Sequence, residues 1–227
     1  MIATVYTPDG IVVSTINLDT FYHATKKREY DYLEKLIIKG HPHIIKFWNK
    51  YILVFHQTDE FNYQYEIIQI LENVMKKWES HVPPIHEFMP YVKKQIIDYG
   101  IQIIGIMSGY CSSKDGNQEL YVYQILGESI RRINVDENGS LNYNCVLLEK
   151  ETNFSRIFRE IQIKNGDDWE TLPPTLFRCD LFSINKSKEI AKFILESSMF
   201  LSNINSSVDS SYLIETVIIT PKGIEIE

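Results

Sequence analysis

Apolar and polar positions along the chain change period several times, and each change marks an element. Ile2–Tyr6, the turn Thr7-Pro8-Asp9-Gly10 and Ile11–Thr15 read as a β-hairpin. Proline presets the turn's backbone angle and glycine accepts the geometry the reversal needs. The same pattern closes the chain, with Thr216–Ile219, then Thr220-Pro221-Lys222-Gly223, then Ile224–Ile226. The two T-P-x-G hairpins predict that both ends of the chain lie side by side in related sheets. His43–Phe47 and Tyr51–Phe55 predict two further strands around Trp48-Asn49-Lys50. From Glu60 to His81 the period becomes helical, with Phe61, Tyr65, Ile68, Leu71, Met75 and Trp78 on one stripe. Pro83-Pro84 stops that helix and Pro84 opens the next, which carries Ile85, Phe88, Met89, Val92 and Ile96 to a stop near Tyr99-Gly100.

Strand character returns over Ile101–Tyr110, where the run Ile103-Ile104-Gly105-Ile106-Met107 predicts cover on both faces. Leu120–Leu126, Ile130–Val135 and Leu141–Leu148 follow, with Asp136-Glu137-Asn138-Gly139 as a turn. Between Glu149 and Ser183 the periodicity fades. Asn153–Glu160 predicts a short helix there, and Asn165-Gly166-Asp167-Asp168 and Pro173-Pro174 predict loops. Ile190, Phe193, Ile194, Ser197 and Leu201 predict an amphipathic helix over Lys186–Asn203, N-capped by Asn185 and followed by a polar connector at Ser206–Ser211. Runs of strands and runs of helices, without strict alternation, give an α+β class with mainly antiparallel pairing. With no Gly/Ser linker, residues 1–227 read as one domain.

Composition narrows the function classes. Acidic residues outnumber basic ones by 30 to 23, for a net charge of −7, which argues against a nucleic-acid partner. No apolar run approaches the ~18 residues of a membrane span, and the start lacks a basic-then-apolar leader pattern. Cys111, Cys145 and Cys179 are three in number and have no C-x-x-C spacing, as expected of a reducing, cytoplasmic interior where cysteines are inert and buried. The cluster Lys26-Lys27-Arg28 has no glycine or aromatic pattern beside it, so a solvated turn outweighs a phosphate site.

Candidate chemistry is sparse. Neither G-x-G-x-x-G nor a P-loop occurs. Gly105-Ile106-Met107-Ser108-Gly109 misses the spacing of a nucleophile elbow, so Ser108 reads as a strand residue. His41-Pro42-His43 would put two imidazoles on one side of a strand, but Lys39 and Lys46 oppose a cation there, and His56 and Asp59 join only if folding brings them close. No metal or cofactor is expected. His81 and His86 flank the Pro-Pro break and read as exposed caps.

The order of elements resembles the proteasome β-subunit fold, the four-layer αββα sandwich of N-terminal-nucleophile hydrolases. Met1–Val13 resembles the family's opening strand, D-G turn and returning strand, and His43–Phe55 its next strand pair. Residues 103–110 resemble the strand that begins the second half, and Val217–Gly223 the closing hairpin. Glu196–Asn205 looks like the long helix of the bacterial ancestral-type, Anbu-like β subunits. The resemblance spans nearly the whole chain, except for a divergent or inserted region at about 149–183.

In that family a threonine, serine or cysteine at the mature N-terminus attacks, with its own α-amine as base. The resemblance places that position at Met1, or at Ile2 if the turn differs by one, and neither carries a hydroxyl or thiol. Thr4 is the nearest hydroxyl, reached only if Met1–Ala3 are removed. The family's aspartate is matched by Asn17, with Asp19 nearby, and its lysine by His43. Its oxyanion glycine falls near Thr58, and its G-S-G-S loop is replaced by Glu149-Lys150-Glu151-Thr152. These departures imply a proteasome-like subunit that has lost threonine-protease activity, a pseudoenzyme acting by assembly or binding, with homo-oligomer formation as the family habit. The alternatives are an active amidohydrolase or peptidase using Thr4 after processing, or an unrelated α+β binding module.

Overall fold

The computed structural model describes residues 1–17, 37–38, 41–48, 50–57, 70–71, 73–78, 81–100, 103–112, 117–148, 161–165, 168–172, 178–203 and 213–227. The two T-P-x-G hairpins, β1(Ile2–Thr7) with β2(Gly10–Asn17) and β12(Leu213–Thr220) with β13(Gly223–Ile226), share one sheet. Adding β9(Asn144–Leu148), its order is β13-β12-β2-β1-β9. Thr7 pairs with Gly10 and Thr220 with Gly223, so both motifs form two-residue turns. A second sheet contains β3(Ile37–Ile38), β4(His41–Phe47), β5(Tyr51–Gln57), β6(Ile103–Ser112), β7(Gln118–Leu126) and β8(Ser129–Arg132), hydrogen-bonded in that order. Every pairing among the described strands is antiparallel.

Alternation along the strands sorts side chains into three apolar layers. Ile2, Tyr6, Ile11, Val13, Val217 and Ile219 of the first sheet meet Ile44, Ile52, Val54, Ile106 and Val122 of the second. On the far side of the first sheet, Ala3, Val5, Val12 and Ile218 pack against Ala191, Ile194, Leu195 and Met199 of the helix α2(Ile184–Asn203), the first such helix, α1(Ile85–Asp98), lying on the opposite layer. There Ile45, Phe47, Leu53, Ile103 and Met107 pack against Val74 and against Ile85, Phe88, Met89 and Val92 of α1. The result is the helix–sheet–sheet–helix sandwich expected from the element order. It also explains the unbroken apolar run in β6, where Ile103 and Met107 face the helices and Ile104 and Ile106 face the other sheet.

Phe88 is the hub of the helical layer on the second sheet. Its ring lies 5.3 Å from Phe47, 5.1 Å from Trp48, 6.3 Å from Tyr51 and 5.7 Å from Trp78. Trp48 takes φ +47 in the tight connection between β4 and β5, an unfavourable backbone region for a bulky residue. Its contacts with Phe47, Tyr51 and Phe88 offset that strain. Gly109 is needed where β6 crosses the start of β5, because an added Cβ would meet the Lys50 carbonyl oxygen and Tyr51 Cδ1, each at 2.5 Å.

Several expectations change in detail. The cap of α2 is Ser183, whose Oγ accepts a hydrogen bond from the Lys186 N–H at 3.3 Å, whereas Asn185 falls inside the first turn. The expected strand Ile130–Val135 ends at Arg132, with only an isolated bridge from Val135 to Leu141, and the next strand starts at Asn144. The Asn165–Asp168 loop closes a hairpin of its own, β10(Ile161–Asn165) and β11(Asp168–Leu172). Lys26–Arg28, the helix expected at 153–160, Pro173-Pro174, the 206–211 connector and most of the helix expected from residue 60 lie outside the described residues. Phe88→Ala removes the shared ring of the aromatic layer and is expected to cost about 3–5 kcal/mol, measured by urea unfolding.

Candidate functional site

The candidate site is the start of β1, where the first sheet meets the second. Met1 is half-buried, and its carbonyl accepts a hydrogen bond from Thr15 Oγ1 at 3.2 Å. Ile2 is 0% exposed, sits opposite Thr15 on β2 and Leu148 on β9, and packs between the sheets. Ala3, also buried, points the other way, onto α2. Thr4 shares the face of Ile2 and is fully buried between Val13 and Val146. Its Oγ1 has no hydrogen-bond partner among the described residues. Exposing Thr4 as an N-terminal residue would therefore remove the pairs of Ile2 and Ala3 with both neighbouring strands. It would also lose the buried Ile2 side chain, worth about 1.5–3 kcal/mol by transfer alone.

The other positions named from the sequence are described only in part. Asn17 ends β2 at the Met1 end of the sheet, paired with Leu213. His43 lies on β4 of the second sheet, one residue before the buried Ile44. Thr58, Asp19, Lys39, Asp59 and the 149–152 segment lie outside the described residues, as do the side chains of Asn17, His41, His43 and His56. Ser108 is in the middle of β6, paired with Ile52 and Val122, and its buried hydroxyl has no hydrogen-bond partner among the described residues. No strand-to-helix elbow surrounds it. His81 and His86 are both exposed, with the His86 ring 6.0 Å from Tyr121. Among the described residues no group of three or more His, Cys, Asp or Glu is placed to hold a metal. No described helix is long and apolar enough to cross a membrane.

Two features escaped the sequence reading. Glu215 is only 1% exposed, in register with Thr15 and so in the same row as Ile2. A carboxylate inside the apolar strand Leu213–Thr220 was the available signal, since a buried charge requires compensation. Cys145 and Cys179, read as separate inert cysteines, are neighbours. At the opposite end of the inter-sheet layer, Tyr110 is held near Tyr143 and Asp9, and burial pushes its phenol up to about 12, with those two groups adding to the effect.

No family model matches the chain, and no curated protein matches it in sequence. Solved structures do. Anbu from Hyphomicrobium sp. strain MC1 superposes with a TM-score of 0.55 at 9% identity, covering 99% of this chain and 86% of that one. An Anbu (Gly-1) mutant from the same strain gives 0.56 at 10% identity, covering 100% and 83% respectively. At such identities the likeness is one of fold. This chain has the proteasome-like sandwich of the Anbu structures, as the resemblance in its sequence implied.

The isolated hydroxyl of Thr4 yields a direct test of its environment. Thr4→Val keeps the branched shape and removes a buried group without a partner among the described residues, so stability is expected to hold or rise by up to about 1 kcal/mol in urea unfolding. A loss above that range would reveal a hydrogen bond made by Thr4.

Proposed function

We propose that this chain is a proteasome-like subunit that has lost threonine-protease activity and acts through assembly or binding. The side chains at the start of β1 carry this reading. The chemistry needs a nucleophilic hydroxyl or thiol on the same residue as the amine that serves as base. Met1 and Ile2 offer neither, and Ile2 is committed to the core between the sheets. The next hydroxyl along the strand, on Thr4, is enclosed within a strand paired along both edges.

The Anbu-like fold supports the proteasome-like part of the reading. Association is supported by the outer face of α2, where Phe193 and Phe200 stand two turns apart and are 53% and 68% exposed. The reading takes residues 1–227 as one unit without a cofactor. It places the protein in the cytoplasm, in keeping with three free cysteines.

Purified protein is expected to show no peptide hydrolysis, no adduct with an electrophile directed at N-terminal threonine, and no species starting at Thr4 by intact mass. Turnover and labelling that both vanish in Thr4→Ala would make Thr4 a processed nucleophile and overturn the reading. For assembly, light scattering is expected to return a multiple of 26.6 kDa that persists on dilution. A single-chain mass at every concentration would remove assembly and leave binding alone.

A further inference from the structure

Cys145 and Cys179 are far apart in sequence and adjacent in space. Cys145 lies on the edge strand β9, opposite Val5, and is half-buried. Cys179 opens the short 3-10 turn Cys179–Leu181, which packs onto β1 and β9 with Cα atoms of the turn and β9 within 8 Å, and is fully buried. Both side chains belong to the apolar layer between the first sheet and α2. The Cys179 thiol beside it holds the Cys145 thiol below the ordinary range, against the opposing effect of burial. The neighbouring Cys145, and then burial, pushes the Cys179 thiol up. The partners are thus unequal. One is accessible and acidified; the other is enclosed and protonated.

We propose that Cys145 and Cys179 form an oxidation site that hydrogen peroxide closes into an intramolecular disulfide. The Cys145 thiolate attacks one peroxide oxygen, the O–O bond breaks, and hydroxide leaves, so Cys145 becomes a sulfenic acid. The Cys179 sulfur then attacks the Cys145 sulfur and the S–O bond breaks. The departing hydroxide takes up the Cys179 proton as water. Overall, two thiols lose two hydrogens and two electrons, and one peroxide becomes two waters. Cys111 takes no part, because it lies on β6 against the other helical layer. The bond ties the edge strand β9 to the turn that leads into α2, and closes the segment between residues 145 and 179 into a ring.

The test is mild peroxide treatment of the native protein, followed by thiol titration, intact mass and peptide mapping. Free thiols are expected to fall from three to one, with a mass loss of about 2 Da and a mapped Cys145–Cys179 link. The thermal midpoint should rise by about 5–15 °C and return on reduction. Cys111→Ser should still lose two thiols. Cys179→Ser, which keeps the attacking sulfur and loses its partner, should stop at a sulfenic acid that dimedone traps. Three surviving thiols, a link through Cys111, or direct passage to sulfinic acid without a disulfide would each overturn the proposal.

Discussion

β1 has no free edge and no free face. β2 and β9 pair along its two sides, the second sheet covers Ile2 and Tyr6, and α2 covers Ala3 and Val5. Each of its larger aliphatic side chains contributes about 1.5–3 kcal/mol by leaving water, and it contributes to two cores at once. β1 is therefore a wall shared by two cores. That constraint governs how the rest of the site can behave. A hydroxyl placed on such a strand is sealed in, and releasing it means unpicking both cores.

Polar groups inside the sandwich meet unequal fates. The Tyr6 hydroxyl crosses the inter-sheet layer to donate to the Ile133 carbonyl at 3.2 Å. Asn134 is fully buried but amply paired, since its Oδ1 accepts from the Val122 N–H at 3.0 Å and its Nδ2 donates to the Leu120 carbonyl at 2.7 Å. It extends the edge of β7 where β8 has ended. Arg132 completes this corner by bonding Glu119 at 2.7 Å and lying 3.8 Å over the Tyr121 ring. Thr4 and Ser108 have no such arrangement. Satisfied polar groups gather at that corner, whereas Thr4 lies opposite Val13 and Val146, and Ser108 opposite Ile52 and Val122.

Much of the fold was legible because its signals are local. Thr7-Pro8-Asp9-Gly10 and Thr220-Pro221-Lys222-Gly223 carry their turns in their own chemistry, and the stripe from Ile85 to Val92 needs only a period of 3.6. The hairpin Ile161–Leu172 was missed because its strands are only five residues each and Asp168-Trp169-Glu170-Thr171 carries a single apolar side chain. The cap of α2 was placed two residues late because Ser183 and Asn185 both qualify by type, and only the geometry of the Lys186 amide separates them. The site was less legible than the fold. The absence of a nucleophile at Met1 and Ile2 is a matter of residue identity, readable at once. The burial of Thr4 depends on β9, and the pairing of Cys145 with Cys179 depends on a turn 34 positions downstream. Contacts of that kind have no periodic signature.

The adjacency of the two hairpins sets the order in which the molecule is completed. β2 lies between β1 and β12, and the Ser14 and Thr216 hydroxyls meet at 2.9 Å although 202 positions separate them. During synthesis the first hairpin leaves the ribosome with the β2 edge unpaired, and the strand that covers it follows only after those 202 positions. Closure of the first sheet is therefore a late step with a large loop-closure cost. Until then an apolar strand edge stays open to other chains, which makes slow elongation or truncation ahead of β12 a route to aggregation.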